Sequence, residues 1–384
     1  MDFALTEEQR AIQETARRFA EDKLLPEYQN NDGKHAFDRE MLKEMGSLGL
    51  IGSELSERYG GMGLGYVTAG VITEQIARAD FNVAYVQILA GLNGGIIEKF
   101  AAPHLAEYWI PRIISGESLV AVALTEPSAG SDAANLKLKA EKKGDVYVIT
   151  GEKTSISVAA QADAAVVFAR TGTQEEKARG VSAFLIPLDH PNITRTHFDD
   201  LGETVVGRGS IFFDGVEVPA ENMLGDEGLG FIQVMQGFDY SRALIGLECL
   251  AAAKKSVEEA WEQISQREAF GKKVSQFEGA SFPLAEAETF IEAASLLCYK
   301  TLWLRDQGEP HTAEAAMCKW WAPKITFDIV HNCLLAHGHG GYSKEYPIQQ
   351  RLRDVLGLQI GDGTSQIQKI IIAREKIGRV GVPY

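Results

Sequence analysis

The chain has few cysteines, no long apolar run and no excess of positive charge, and each shortage removes a class of protein. Its four cysteines, Cys249, Cys298, Cys318 and Cys333, form no Cys-x-x-Cys pair and show no zinc-ligand spacing, so a disulfide scaffold is excluded and free thiols in a reducing compartment are expected. No apolar stretch approaches the roughly 18 residues of a membrane-spanning helix. The opening Met-Asp-Phe-Ala-Leu-Thr-Glu-Glu is acidic where a signal or transit peptide is basic, so a cytoplasmic protein is expected. Thirty-eight Lys and Arg against 53 Asp and Glu leave a net charge of −15, which repels polyanions and makes nucleic acid an unexpected partner. What is present is 384 residues, 45% hydrophobic and 24% charged, enough for a large core in one to three domains.

Thr6 and Gln9 have capping-box spacing, and behind them Ile12, Ala16, Phe19 and Leu24 follow one helical face. Pro26 is the expected stop. Further helical patterns run over 38–50, 65–78, 84–100 and 104–114, so residues 1–118 read as a helical domain. From Leu119 the texture changes to β-rich runs at 119–124, 146–150, 164–169, 182–187, 194–198 and 210–213. Residues 119–225 therefore read as a middle β domain. Long helical patterns return over 232–262, 280–305, 312–337 and 366–378, making residues 226–384 a C-terminal helical domain. This order implies two helical regions packed together with a small barrel or sandwich inserted between them, and a seam suited to a cofactor.

Several segments combine turn residues with reactive side chains. Thr-Glu-Pro-Ser-Ala-Gly-Ser-Asp at 125–132 offers backbone N–H groups beside the Thr125 and Ser131 hydroxyls, either for a ring edge or phosphate or simply as a polar loop. Gly-Glu-Lys-Thr-Ser-Ile-Ser at 151–157 carries the same ambiguity. Arg267 and Phe270 share a turn, where they either hold a phosphate and an adenine or join two helices. The cluster from His337 to Pro347 holds His337 and His339 but no third ligand at metal-binding spacing. Asp362 lies between Gly361 and Gly363 ahead of Thr364, a candidate N-cap; it is either a turn aspartate or a base whose carboxylate faces a cavity. No Walker A, GxSxG, HExxH or EF-hand pattern occurs.

Taken in order, these segments resemble the acyl-CoA dehydrogenase family across nearly the whole chain. The resemblance runs from Leu-Thr-Glu-Glu-Gln-Arg at 5–10 through 125–132, Val-Glu-Val-Pro-Ala-Glu-Asn-Met-Leu-Gly at 216–225 and Arg-Glu-Ala-Phe-Gly at 267–271. It continues to Glu-Tyr-Pro at 345–347, Arg353, Asp354 and Asp-Gly-Thr-Ser-Gln-Ile-Gln at 362–368. It implies an α+β, mainly α fold with an N-terminal helical domain, a middle β-barrel or sandwich domain and a C-terminal four-helix bundle. It also implies a homotetramer binding FAD and passing electrons to an electron-transfer flavoprotein. Position by position, it assigns Leu124, Thr125, Ser131, Ser155, Ser157, Arg267, Phe270, Gly338, Thr364 and Gln366 to the cofactor. Ser131, Phe238, Asp239, Arg242 and Gly363 fall to the acyl-CoA, and Asp362 becomes the base. Arg267 and Phe270 are expected to grip the adenosine diphosphate half across a subunit interface.

The departures carry the specificity argument. Ser155 stands where the family commonly has Trp, while Glu278, Leu335 and His339 replace Gln, Gln and Gly. Gly361-Asp362-Gly363-Thr364 replaces a common Tyr-Glu-Gly-Thr, and the alternative base position falls at Ile245 or Gly246, neither of which takes a proton. By the family mechanism Asp362 removes the α-proton and the β-hydride goes to flavin N5, with the residue 362 N–H and a ribityl hydroxyl holding the thioester oxygen. Free aspartate titrates near about 3.9, so burial is required to make it an efficient base.

A shorter base beside glycine enlarges the cavity at the α- and β-carbons, which a linear chain leaves unfilled. The expected reaction is therefore cyclohexanecarboxyl-CoA to cyclohex-1-ene-1-carboxyl-CoA. Alternatives are dehydrogenation of cyclohexenecarboxyl-CoA or of a short or branched acyl-CoA, and a nitroalkane-oxidase-type flavin oxidase. The stretch from Tyr85 to Ile97, expected near the acyl tail, holds no carboxylate, which favours the saturated ring.

Overall fold

A computed structural model describes residues 4–378; residues 1–3 and 379–384 of the expected terminal domains lie outside the described residues. Helix α1 (Glu7–Phe19) begins where Thr6 and Gln9 exchange side-chain and backbone bonds of 3.0 and 3.1 Å. It ends before Pro26, in a wider π-helical turn at Ala20–Leu24. Helices α2 (Arg39–Ser47), α3 (Tyr66–Ala79), α4 (Phe81–Phe100) and α5 (Pro103–Ile114) complete the first unit. Asp80 caps α4 by accepting from the Asn82 and Val83 N–H groups at 2.9 and 3.3 Å. Because α4 is apolar around its whole circumference, it is buried for most of its length, against α3, α5, α6 and β1.

The middle unit is one hydrogen-bonded sheet of β1 (Val120–Ala123), β2 (Lys139–Lys143), β3 (Val146–Ile156), β4 (Ala164–Arg170), β5 (Val181–Pro187), β6 (Ile193–Arg195) and β7 (Gly209–Pro219). Its order is β1-β4-β2-β3-β7-β6, with β5 also paired to β4. Strand β2 has no apolar run and was not expected from sequence; of Lys-Ala-Glu-Lys-Lys only Ala140 is buried. Its pairing with β3, from Lys139 opposite Thr150 to Lys143 opposite Val146, holds it in place. Strands β3 and β7 outrun their apolar cores because they pair with each other from Val146 opposite Pro219 to Ile156 opposite Gly209.

The C-terminal unit comprises α6 (Gly230–Gln266), the two-stranded hairpin β8 (Glu268–Ala269) and β9 (Lys272–Lys273), α7 (Glu278–Asp306), α8 (Thr312–Ala336), α9 (His339–Tyr342), α10 (Ile348–Gly357) and α11 (Ser365–Ile377). The fold is α+β and mainly α. Helix α6 packs on α7 and α8 and also on α3 and α4, so the two helical units share one core. A buried junction ties all three units together: Asp354 of α10 accepts from the Tyr28 hydroxyl at 2.7 Å, the Asn82 amide at 3.2 Å and the Glu203 N–H at 2.7 Å. The candidate site lies beside this junction.

Candidate active site

Asp362 sits in the loop ahead of α11 with φ 53°, a left-handed conformation that aspartate tolerates better than most residues. The Gln368 amide donates to the Asp362 and Gly363 carbonyls, both at 3.1 Å, and fixes the loop. A side chain on Gly363, at φ 96°, would meet that amide at 2.5 Å. Gly361 is exposed, and a side chain there would meet nothing closer than the Gly357 carbonyl at 3.8 Å. Thr364 occupies the N-cap position of α11 in extended conformation, but its hydroxyl makes no capping bond. Gln366 is exposed on the first turn.

The Asp362 side chain is half-buried and has neither a hydrogen bond nor an ion pair among the described residues. Burial raises its pKa above the usual aspartate value, opposed by the positive charges of Lys319, Arg242 and Arg208. Each of those cations is already engaged. Lys319 on α8 is buried, donates to the Leu358 carbonyl at 2.6 Å, and is pushed down to about 8 by burial. Arg242 on α6 pairs with Asp239 at 2.9 Å, and Asp239 also accepts from Thr312 at 2.6 Å. The Arg242 guanidinium carbon stands 5.7 Å from the Phe238 ring centre. Phe238, Asp239 and Arg242 are thus brought together, with Arg242 acting on Asp362. Arg208 pairs with Glu203 and Asp200, both at 2.9 Å.

The middle unit presents Leu124 and Thr125 beside Ser155 and Ser157. The Leu124 carbonyl accepts from Lys153 at 2.9 Å, and the Thr125 carbonyl accepts from the Thr154 N–H at 2.9 Å. Lys153 forms a fully buried ion pair with Glu126 at 2.8 Å, and Glu126 also accepts from the Lys137 and Leu138 N–H groups at 2.6 and 2.9 Å. Burial lowers the Lys153 pKa to about 8. Ser155 is exposed at φ 55°, and Ser131 is exposed in the loop beyond. Ser157 donates to the Tyr85 hydroxyl at 3.4 Å. Tyr85, buried on α4, has its pKa raised by burial and then by Asp362, which links this cluster to the base.

Arg267, Phe270 and Gly338 form a second cluster. Phe270, at φ 52°, is 94% exposed at the hairpin, 6.3 Å from the Phe277 ring. Gly338 has φ 61°, and a side chain there would stand 3.0 Å from the Arg267 guanidinium. Glu278 and His339 are exposed at the first turns of α7 and α9, and Leu335 is exposed on α8. His337 is bonded to the Cys333 carbonyl at 2.7 Å, and no metal-binding group of His, Cys, Asp and Glu occurs among the described residues. All four cysteines are free and buried.

Sequence reasoning missed three residues here: Lys319, Arg208 and Glu248. Glu248 lies on α6, fully buried, with neither carboxylate oxygen hydrogen-bonded. The signal was available, because Glu248 interrupts Leu-Ile-Gly-Leu-Glu-Cys-Leu-Ala-Ala-Ala and Lys319 interrupts Ala-Ala-Met-Cys-Lys-Trp-Trp-Ala. A charge inside an apolar helical run is a buried charge.

A half-buried carboxylate without a hydrogen-bond partner, in the field of three engaged cations, has the environment of a candidate acid–base group. Three family descriptions match the chain: the acyl-CoA dehydrogenase N-terminal domain over residues 6–117, the middle domain over 121–216 and the C-terminal domain over 228–377. A probable acyl-CoA dehydrogenase of Bacillus subtilis, YngJ, is 33% identical over 98% of this chain and 99% of its own. The structure of butyryl-CoA dehydrogenase from Megasphaera elsdenii superposes with a TM-score of 0.94 at 33% identity, covering 98% of this chain and all of that one. A structure described as an electron transferring flavoprotein of Acidaminococcus fermentans gives 0.95 at 32% identity, covering 98% and 100%.

The chain belongs to the acyl-CoA dehydrogenase family. It is an oxidoreductase acting on acyl-CoA CH–CH bonds, and its cofactor is FAD. The residues present fit that cofactor in two places. Thr125, Ser155 and Ser157 gather hydroxyls at the ends of β1 and β3. Arg267 stands over the side-chain-free face of Gly338, with an exposed aromatic ring at Phe270.

Proposed function

We propose that Asp362 is the base that removes the α-proton of an acyl-CoA, and that the substrate is cyclohexanecarboxyl-CoA, oxidised to cyclohex-1-ene-1-carboxyl-CoA. The observation that carries this reading is the Asp362 carboxylate itself, half-buried and unpartnered, with its pKa raised by burial. A base needs a pKa close to working pH and a free lone pair, and an ion-paired aspartate has neither. FAD, when bound, accepts the hydride from the β-carbon. The Asp362 N–H contributes one donor to the thioester oxygen, while Phe238, Asp239 and Arg242 border the CoA and Ser131 and Gly363 contact substrate. The shorter base beside Gly361, where the family commonly has a larger pair of residues, favours an α-branched ring over a linear chain.

Leu124, Thr125, Ser131, Ser155, Ser157, Thr364 and Gln366 hold the cofactor in this reading. Arg267, Phe270 and Gly338 complete its adenosine end from a neighbouring subunit of a homotetramer. Exposed Phe270, Phe282, Trp303 and Leu335 supply apolar surface for that assembly. Electrons pass to an electron-transfer flavoprotein, and domain limits of 1–118, 119–225 and 226–384 go with the same reading. No described helix is long and apolar enough to cross a membrane, and we place the protein in the cytoplasm.

The test is anaerobic. Linear, branched and cyclic acyl-CoAs are mixed with the yellow protein and loss of flavin absorbance is followed. The cyclohexane ester is expected to bleach it fastest; faster bleaching by butyryl- or octanoyl-CoA overturns the substrate.

A further inference from the structure

Glu248 is an anomaly for a residue so deep in the bundle. It is fully buried, and no donor reaches either oxygen. On α6 it stands seven residues after Ser241, whose buried hydroxyl is also unpartnered. Positions seven apart lie almost above one another on a helix, with Ile245 between them, so the orphaned polar atoms share one stripe.

The groups acting on Glu248 come from every side. Asp362 reaches it from the loop before α11, Asp354 from α10, Glu203 from the middle unit and Lys319 from α8, while Tyr85 on α4 and Cys249 on its own helix feel its charge. Three are carboxyl groups and one is a cation. That cation is bonded to the Leu358 carbonyl rather than to Glu248. An ionised carboxylate buried without a donor and facing three acids is far costlier than a neutral one. Its pKa is accordingly raised well above the ordinary glutamate value, with burial the main cause and Glu203 and Asp362 next.

We propose that Glu248 is a positioning residue for proton abstraction: a carboxylic acid that keeps its proton while Asp362 carries the negative charge. This deepens the reading of Asp362 as the base and rests on it. As Asp362 takes the α-proton it becomes neutral and the negative charge it carried passes to the thioester oxygen; with Glu248 neutral, α6 places no anion beside that transfer. Once Glu248 loses its proton, the transferred charge develops in the field of a buried anion that no donor compensates, which opposes it. Loss of the Glu248 proton therefore contributes to the alkaline fall of flavin reduction, alongside loss of the Lys319 charge, which burial pushes down to about 8, and protonation of Asp362 gives the acid fall.

The experiment compares wild type, Glu248→Gln, Glu248→Leu and Asp362→Asn as FAD-loaded proteins. Anaerobic reduction rates are followed against pH, and infrared spectra are recorded at neutral pH. In wild type the infrared band of neutral carboxylic acids is expected, and both Glu248 variants should lose one component of it, while Asp80, raised by burial to about 7, keeps its share. Their alkaline limb should move upward, so that one pH unit above the wild-type midpoint they reduce about tenfold faster relative to their own plateau. The acid midpoint should stay in place. Coincident alkaline limbs, or an unchanged band in Glu248→Gln, would overturn the proposal. Glu248→Leu has no carboxyl and no amide, and it repeats the test if Glu248→Gln folds poorly. Undiminished reduction by Asp362→Asn would instead remove the base itself, an outcome separate from either result at Glu248.

Discussion

Two buried glutamates in this molecule have opposite surroundings. Glu126, after β1, has Lys153 and two backbone N–H groups on its carboxylate. Glu248, inside α6, has none. A buried anion with both oxygens answered is a fastening: it pins Leu124 and Thr125 to β3, the edge where the flavin is expected. A buried carboxyl with no answer holds its proton and is a chemical group in waiting. Asp362 lies between the two cases, half-buried and unpartnered but within the field of three cations. Burial alone therefore does not assign a role; the partners do.

That contrast can be broken by substitution. The largest effect is expected at Asp362→Asn, which keeps shape and loop but removes the proton acceptor. Flavin reduction should fall by about a thousandfold or more while FAD stays bound, as anaerobic stopped-flow measures directly. Next comes Glu126→Gln. Removing the charge from one side of a buried pair strands Lys153, and a stability loss of about 3 kcal/mol is expected in denaturant titration, with reduced FAD content. A loss below about 1 kcal/mol would show that the pair is not a fastening.

Glu248→Leu should move the other way. Losing an unanswered carboxyl is expected to leave stability level or raise it by about 1 kcal/mol at neutral pH. The sign follows from linkage: the folded pKa of Glu248 is raised, so the native state binds more protons than the unfolded one. Wild-type stability should fall as pH rises from the unfolded pKa toward the folded one, and the variant should lack that slope. Thermal denaturation across pH separates the two curves.

The smallest effect is expected at Glu14→Gln. Arg17 and Arg18 hydrogen-bond Glu14 and hold its pKa down to about 2, but the group is exposed. Its stabilisation is present above its unfolded pKa and lost as pH falls toward 2. Solvent screening should make the change in melting temperature much smaller than for Glu126→Gln, and high salt should erase it.

The same contrast explains what was legible in the sequence. The start of α1 was readable because Thr6 and Gln9 satisfy each other within one turn. The long helices were readable from apolar periodicity, and Asp362 from its glycine neighbours and its place in the family pattern. Strand β2 was not, because five mostly charged residues carry no strand signal and are held only by β3. Helix α10 was not read either, although its Asp354 joins all three units. Arg208 was not singled out either, because its ion pairs with Glu203 and Asp200 and its effect on Asp362 appear only once the middle unit is folded beside the Asp362 loop.

The sequence by itself determined the alternation of helical, β and helical units and the capped start of α1, and it offered Asp362 as the candidate base. Those features depend on contacts between residues a few positions apart or on a pattern running along one chain. Only the tertiary structure decided that Glu126 is answered and Glu248 is not, and that Lys319 gives its bond to Leu358. Ionisation inside a protein depends on which distant groups share a low-dielectric space, and that is settled when the faces of α4, α6, α8 and the loop before α11 meet.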